Sequence, residues 1–282
     1  MSHIKTEALV LKVSPVGDKD RLLTLLSDEC GVIRAFAKGA RSLKNKNFAV
    51  CTQFVYGSFE IYKSRDYYSV SESSPLQLFE ALSGDLSKLS LAQYFCELAS
   101  LLAPSETYAH DFLRVMRVAL YYLSAGEKDA RQLKAALEMR LLSMAGYMPD
   151  LRMCRECGAY TAPEMRFFHS EGIILCGDCA AAGGVGGATG VNGTSGTGGA
   201  SVAGGTGGAS GRYGQSGGYS SLGEDALSAL RYSVYAEQKV LFSFSSSGVA
   251  LGQFCDAAER YLISKIERVP KTLEFYRNLP EG

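Results

Sequence analysis

Four cysteines in two pairs constrain this chain more than any other feature: Cys154-Arg155-Glu156-Cys157 and Cys176-Gly177-Asp178-Cys179. Eighteen residues, 158–175, separate the pairs, which gives C-x2-C-x18-C-x2-C. That spacing lies in the window for a four-thiolate zinc site. Zn²⁺ takes soft thiolates in a tetrahedron, and each C-x2-C turn offers two sulfurs from one tight knuckle. Gly158 follows the first pair and Gly177 lies inside the second, where a knuckle needs backbone freedom. Cys154, Cys157, Cys176 and Cys179 are therefore the expected zinc ligands; the competing readings are a disulfide pair or unpaired core thiols. Four thiolates leave no coordination position for water or substrate, so the metal is expected to be structural.

The 282 residues leave room for two or three domains with sizeable cores. Lys and Arg number 29, as do Asp and Glu, so no global field favours nucleic acid and any such surface must be local. Cys30, Cys51, Cys96 and Cys255 are scattered in apolar contexts, where free cysteine behaves as a small hydrophobe. Lys5, Glu7 and Lys12 interrupt the apolar start, which argues against a signal peptide, and no apolar run approaches a membrane span. The expected setting is the cytoplasm, without membrane contact.

Residues 1–75 read as about five short strands (6–13, 20–27, 32–38, 54–62 and 67–72) with turn signals between them, including one at Arg65-Asp66. A five-stranded OB-type barrel fits that length best; strand counting alone does not separate it from an SH3-like barrel. Between the third and fourth strands, residues 34–53 hold five cations (Arg34, Lys38, Arg41, Lys44 and Lys46) and no acid, flanked by Phe36 and Phe48. Cations on a loop release counterions from phosphates, and aromatic rings beside them stack bases without demanding a sequence. A solvated basic loop that binds nothing satisfies the same residues. Tyr56, Phe59, Tyr62, Tyr67 and Tyr68 offer more rings, of which alternation buries roughly half.

From residue 76 the period becomes helical. Leu91, Phe95, Leu98 and Leu102 form one stripe, Phe112, Val115, Met116, Ala119, Leu120 and Leu123 a second, and Leu133, Leu137, Leu141 and Met144 a third. These face a bundle core. His110 reads as a surface or capping residue. His169-Ser170-Glu171 ahead of Cys176 and Cys179 echoes a zinc-deaminase signature, but the spacing is too short and the first cysteine pair would have no role. Residues 183–218 hold over half of the 31 glycines, mixed with Ser, Thr and Ala, the composition of a flexible linker. Ser221-Leu222-Gly223-Glu224 then suggests a capping box. A helical face of Leu251, Phe254, Cys255, Ala258, Tyr261, Leu262 and Ile266 is expected to rejoin the bundle.

Several stretches in this order resemble one family: Gly17-Asp18-Lys19-Asp20-Arg21, Ala37-Lys38-Gly39-Ala40-Arg41, and Gly146-Tyr147-Met148-Pro149-Asp150-Leu151 leading into Cys154. The return at Cys176 and Cys179 and the tail from Arg260-Tyr261-Leu262 to Lys271-Thr272-Leu273-Glu274-Phe275 complete the pattern. The chain resembles the bacterial recombination mediator family RecO, except in its glycine-rich segment. The resemblance implies an α+β chain: an N-terminal five-stranded OB-type barrel (1–75), then an α-helical domain in two parts (76–150 and 222–282). A four-cysteine zinc-finger insert (151–182) and a flexible segment (183–221) lie between those parts. It also implies a non-enzymatic role near the nucleoid in DNA repair and recombination. The implied activities are binding of single- and double-stranded DNA, strand annealing, and loading of RecA together with RecR and the single-strand-binding protein. A protein-interaction adaptor with incidental DNA contact is the alternative.

Overall fold

The computed structural model describes residues 2–65, 67–182 and 218–279. Five strands, β1 (Ser2–Val16), β2 (Asp20–Ser27), β3 (Gly31–Ala37), β4 (Tyr56–Lys63) and β5 (Tyr68–Gln77), close into a barrel in the order β1-β2-β3-β5-β4. Every pairing is antiparallel except β3 with β5, where Phe36 pairs with Ser69. A five-stranded Greek-key barrel is the OB arrangement. The turn expected at residues 65–66 falls partly outside the described residues.

β1 serves two partners because it bends. Its first half pairs with β4 and its second with β2, with a register shift between Val10 and Lys12. The two-residue period sends Ala8 and Val10 into the barrel with Leu25, Ile33, Phe59 and Ile61. Leu9 and Leu11 point the other way and, with Leu26, join the helical core. Here β1 is buried on both faces, so barrel and helices share packing rather than a linker. The turn into β3 tightens that join. Val32 donates its amide to Pro104 O at 2.8 Å, and a Cβ on Gly31 would lie 2.2 Å from that oxygen. With φ at +63° as well, only glycine fits position 31.

The helical domain begins with α1 (Leu86–Leu102), α2 (His110–Ala125) and α3 (Ala130–Met144). Asp85 and Asp129 cap α1 and α3 by accepting backbone amides, and Gly126 ends α2 in the left-handed conformation. α3 departs from the one-sided stripe read in the sequence. It packs against α1, α2, α5 (Glu224–Tyr235) and α6 (Gly248–Ile266), so Ala135, Ala136, Met139 and Leu142 are buried along with the expected leucines. Lys134 and Glu138 are buried too, paired at 2.8 Å, with Tyr94 donating to Glu138 at 2.5 Å and Lys134 reaching Glu259 of α6 at 2.6 Å. A last helix, α7 (Lys271–Arg277), lies on α1, where Thr272 donates its hydroxyl to Glu97 at 2.5 Å.

The cysteine insert is less separate than its sequence suggests. Strands β6 (Met165–Phe168) and β7 (Ile173–Cys176) form a hairpin, followed by the short α4 (Gly177–Ala182). β8 (Tyr219–Leu222), which follows the glycine-rich segment, pairs with β6 and completes a three-stranded sheet in the order β7-β6-β8. Of the expected flexible segment, 183–221, residues 183–217 lie outside the described residues, and residues 219–221 belong to β8 because they pair with β6. The expected capping box does not form: Ser221 is in β8 and donates to Glu164 at 2.8 Å, while Gly223 occupies the N-cap of α5 without a side-chain bond. From α5, buried Arg231 donates to the carbonyls of Leu151 at 2.7 Å and Tyr160 at 2.6 Å and stacks 3.9 Å over the Tyr160 ring. That residue pins the insert to the bundle.

Candidate metal centre and nucleic-acid interface

The hairpin and the preceding turn bring the four cysteines together. Cys154 and Cys157 flank a turn closed by a 2.9 Å bond from Gly158 N to Cys154 O, with Gly158 at φ +74°. A side chain there would be strained, so the first glycine of the pattern has a backbone reason. Gly177 does not: it starts α4 and has no positive φ. Cys176 ends β7 and Cys179 sits in α4.

All four sulfurs lie within 4.8 Å of one another, with Cys157–Cys176 at 3.7 Å and Cys154–Cys176 at 3.9 Å. A tetrahedral ion with metal–sulfur bonds of about 2.3 Å holds its sulfurs about 3.8 Å apart. Disulfide sulfurs are bonded at about 2.05 Å, so these cysteines are free thiols. Burial opposes ionisation of Cys154, but the backbone amides of Cys157, Cys176 and Glu156 outweigh it and bring the thiol down to about 6. The Ala159 amide favours the Cys157 thiolate, yet the Cys154 and Cys176 sulfurs outweigh it and hold that thiol up. Sulfurs of Cys176 and Cys157 push Cys179 well up. One thiolate thus forms readily and suppresses its neighbours, and a cation bound among the sulfurs removes that repulsion. This four-cysteine group can hold a metal ion.

His169 takes no part in that group. It is buried, with Nε2 3.1 Å from Ser220 Oγ, which donates to Asp256 at 3.1 Å. The deaminase-like pattern does not assemble among the described residues.

The five sequence-marked cations divide between two places. Lys38, Arg41, Lys44 and Lys46 are exposed on the connection between β3 and β4, at the end of the barrel. Two stretches from the sequence pattern build that end by bonding to each other. Asp20 accepts the Gly39 amide at 2.8 Å, Arg41 N donates to Lys19 O at 3.0 Å, and the Arg41 guanidinium donates to Gly17 O at 2.7 Å. Lys46 pairs with Glu72 at 2.5 Å. Lys38 and Lys44 make no ion pair or side-chain hydrogen bond among the described residues, so they are the cations most available to a ligand.

Arg34 stands apart. It shares the outer face of β3 with Phe36 and lines a groove between the barrel and the helices. The aromatic question that alternation left open is resolved by register. Phe59, Tyr56 and Tyr68 are buried, while Tyr67 is exposed and meets half-buried Phe36 edge-on at 6.1 Å. Tyr62 is also exposed, but His3 beside it bonds Glu60, and Glu60 pairs in register with Glu72. Near the basic connection the acids Asp20 and Glu72 are engaged by Gly39 N and Lys46, so Lys38 and Lys44 stay unpaired among the described residues. Lys12 and Lys271 join Arg34 in the groove; Lys12 is isolated in sequence, whereas Lys271 belongs to a stretch near the end of the sequence in which Lys265, Arg268, Lys271 and Arg277 outnumber Glu267 and Glu274.

Comparison with known proteins agrees with this architecture. The family model described as Recombination protein O N terminal matches residues 1–79, and Recombination protein O C terminal matches residues 83–189. A protein of Acetivibrio thermocellus named DNA repair protein RecO is 26% identical over 279 residues, 99% of this chain and 98% of its own length. The protein of that name from Alkaliphilus metalliredigens is 30% identical over 176 residues, 62% of this chain and 72% of its own. Its namesake from Roseiflexus is 34% identical over 177 residues, 62% of each chain.

Proposed function

Because this chain belongs to the recombination protein O family, whose members act in DNA repair and recombination, we propose that it is a non-enzymatic mediator that binds DNA through the β3 side of its barrel. Lys38 and Lys44, unpaired on the connection that leaves the strand carrying Phe36, support that reading, with the Phe36–Tyr67 pair as the proposed stacking surface. They supply phosphate contacts next to a stacking surface, the combination that single-strand binding needs. Arg41 adds a third cation, held in place by Gly17 O, and Lys46 a fourth once it exchanges Glu72 for phosphate. The chain carries no net charge, so attraction to DNA is local and should be strongly salt-dependent.

In this role the protein would hold single strands, anneal them to complements, and act with RecR and the single-strand-binding protein to load RecA, in the nucleoid. Zn²⁺ is the proposed occupant of the four-cysteine group, from the all-sulfur donor set and its tetrahedral spacing. Its role is structural, because four thiolates complete the coordination shell. Among the described residues no helix is long and apolar enough to cross a membrane. Binding and annealing assays with oligonucleotides test the reading. Tight partner binding with no salt-dependent DNA affinity would favour the adaptor alternative.

A further inference from the structure

We infer that the groove between the barrel and the helical domain holds the sugar–phosphate backbone of the same DNA strand, as a continuation of the path that begins at Lys38. The inference rests on the DNA-binding reading above and extends it to a second surface.

The groove measures about 740 Å³ and opens along the outer face of β1, β2 and β3. Lys12, Thr24 and Arg34 cross these strands as direct register partners, Lys12 opposite Thr24 and Thr24 opposite Arg34. Lys271, at the start of α7, lines the groove with them. Lys12, Arg34 and Lys271 are exposed, and none makes an ion pair or side-chain hydrogen bond among the described residues. The one acid in the lining, Glu97, already accepts the amide and the hydroxyl of Thr272 through Oε2, at 3.1 and 2.5 Å. Three unpaired cations thus rim a cleft whose wall mixes hydroxyl and amide side chains (Thr24, Gln93 and Ser100) with apolar ones (Leu11, Val13 and Ile33). The cations suit phosphates and the mixed wall suits sugars, while no ring lines the cleft for bases to stack on.

Continuity with the loop comes from β3. Alternate residues of a strand project from one face about 6.6 Å apart, so Arg34 and Phe36 share the outer face of β3, and the turn that follows Ala37 carries Lys38. This file runs from a cation in the groove, past a ring paired with Tyr67, to a cation at the barrel end. A strand tracking this file passes from base stacking at Phe36 to backbone contact in the groove. The alternative occupant, an acidic peptide, would need no link to that file.

The test uses the full chain and the exposed pair Lys12→Ala/Lys271→Ala, with oligothymidylates of increasing length as probes and salt titration as the readout. On the longer oligomers the double variant is expected to lower the salt slope by about 1.4, or about 0.7 for each single-strand phosphate that is no longer neutralised. On the shortest oligomer that the wild type binds, its slope and affinity should match the wild type. An unchanged slope at every length, with the wild type binding normally, would overturn the groove assignment and leave the loop reading standing. Absence of salt-dependent binding by the wild type would instead overturn the loop reading. Competition by polyglutamate as effective as that of oligothymidylate of equal charge would mark a peptide site and also overturn the inference.

Discussion

The guanidinium of Arg21 donates to the Phe48 carbonyl at 3.0 Å while lying 4.8 Å over the Phe48 ring. A second bond, to Cys51 O at 2.7 Å, makes Arg21 a two-point anchor for the far half of the basic loop. The same sequence stretch supplies Asp20, which accepts the Gly39 amide and anchors the near half. The loop that presents Lys44 is therefore shaped by the β1–β2 turn.

Replacing Arg21 should loosen the loop without dissolving the barrel. Arg21→Ala is expected to cost about 1.5–3 kcal/mol, the range for hydrogen bonds to charged groups. Limited proteolysis should then cut within residues 42–52 sooner than in the wild type. Arg21→Lys should restore only part of the resistance, because an ammonium can replace the single nitrogen, Nη1, that meets both carbonyls but not the planar guanidinium over the Phe48 ring. Equal protease resistance in all three proteins would rule out the anchoring role.

Removal of the metal should act on folding. Four-thiolate zinc binding contributes on the order of 10 kcal/mol, comparable to the net stability of a whole domain. Cys176→Ser, or chelation of the wild type, should lower the melting temperature by several degrees or more, and the loss should appear first in residues 151–176 by hydrogen exchange. Below the transition, the salt slope for DNA should stay at its wild-type value. A folded Cys176→Ser protein with selectively reduced DNA affinity would show that the knuckle touches DNA.

The buried charges of the bundle predict a pH dependence. Burial opposes the Glu259 carboxylate, but Lys134 and Arg277 outweigh it and hold its pKa below the ordinary value of 4.5. The lowered direction means that Glu259 contributes stability in full above its unfolded pKa and loses it as pH falls through the lower folded value. Glu138 runs the other way, raised by burial against the pull of Lys134. Glu259→Gln should cost about 1.5–3 kcal/mol at pH 7, and its deficit in urea midpoint should shrink below about pH 4. A deficit independent of pH would mean that packing, and not charge, accounts for the loss.

Much of this architecture was legible in the sequence because it rests on local rules. The alternation in β2 and β3, the helical stripes and the cysteine spacing each report one short segment. What escaped depends on pairing across long separations. Ser221 resembled a cap residue, and nothing within five residues of it shows that β6, more than fifty residues upstream, claims it as a strand. Arg34 sat within the basic run, yet the outward period of β3 and the approach of α7 place it in a groove away from the loop. Register across the barrel likewise decided that Tyr68 is buried and Tyr67 exposed. α3 read as a single stripe of Leu133, Leu137, Leu141 and Met144, although Lys134 and Glu138, off that stripe, pair with each other inside the core.

The exposed ring on the β3 side gives a prediction separate from charge. Tyr67→Ala should weaken single-strand binding by about 1–3 kcal/mol, the value of one base stack, while leaving the salt slope unchanged. Tyr62→Ala, on the acidic side of the barrel, should change neither. Equal losses from the two variants would show that the strand does not distinguish the faces.

The most direct measurement is the salt dependence of single-strand affinity for Lys38→Ala/Lys44→Ala, which removes the two unpaired loop cations and spares the Arg41 bond to Gly17. The account predicts a slope smaller by about 1.4 than that of the wild type, with weaker affinity at every salt concentration. A variant with the wild-type slope and affinity would contradict it, and would place DNA elsewhere on the protein.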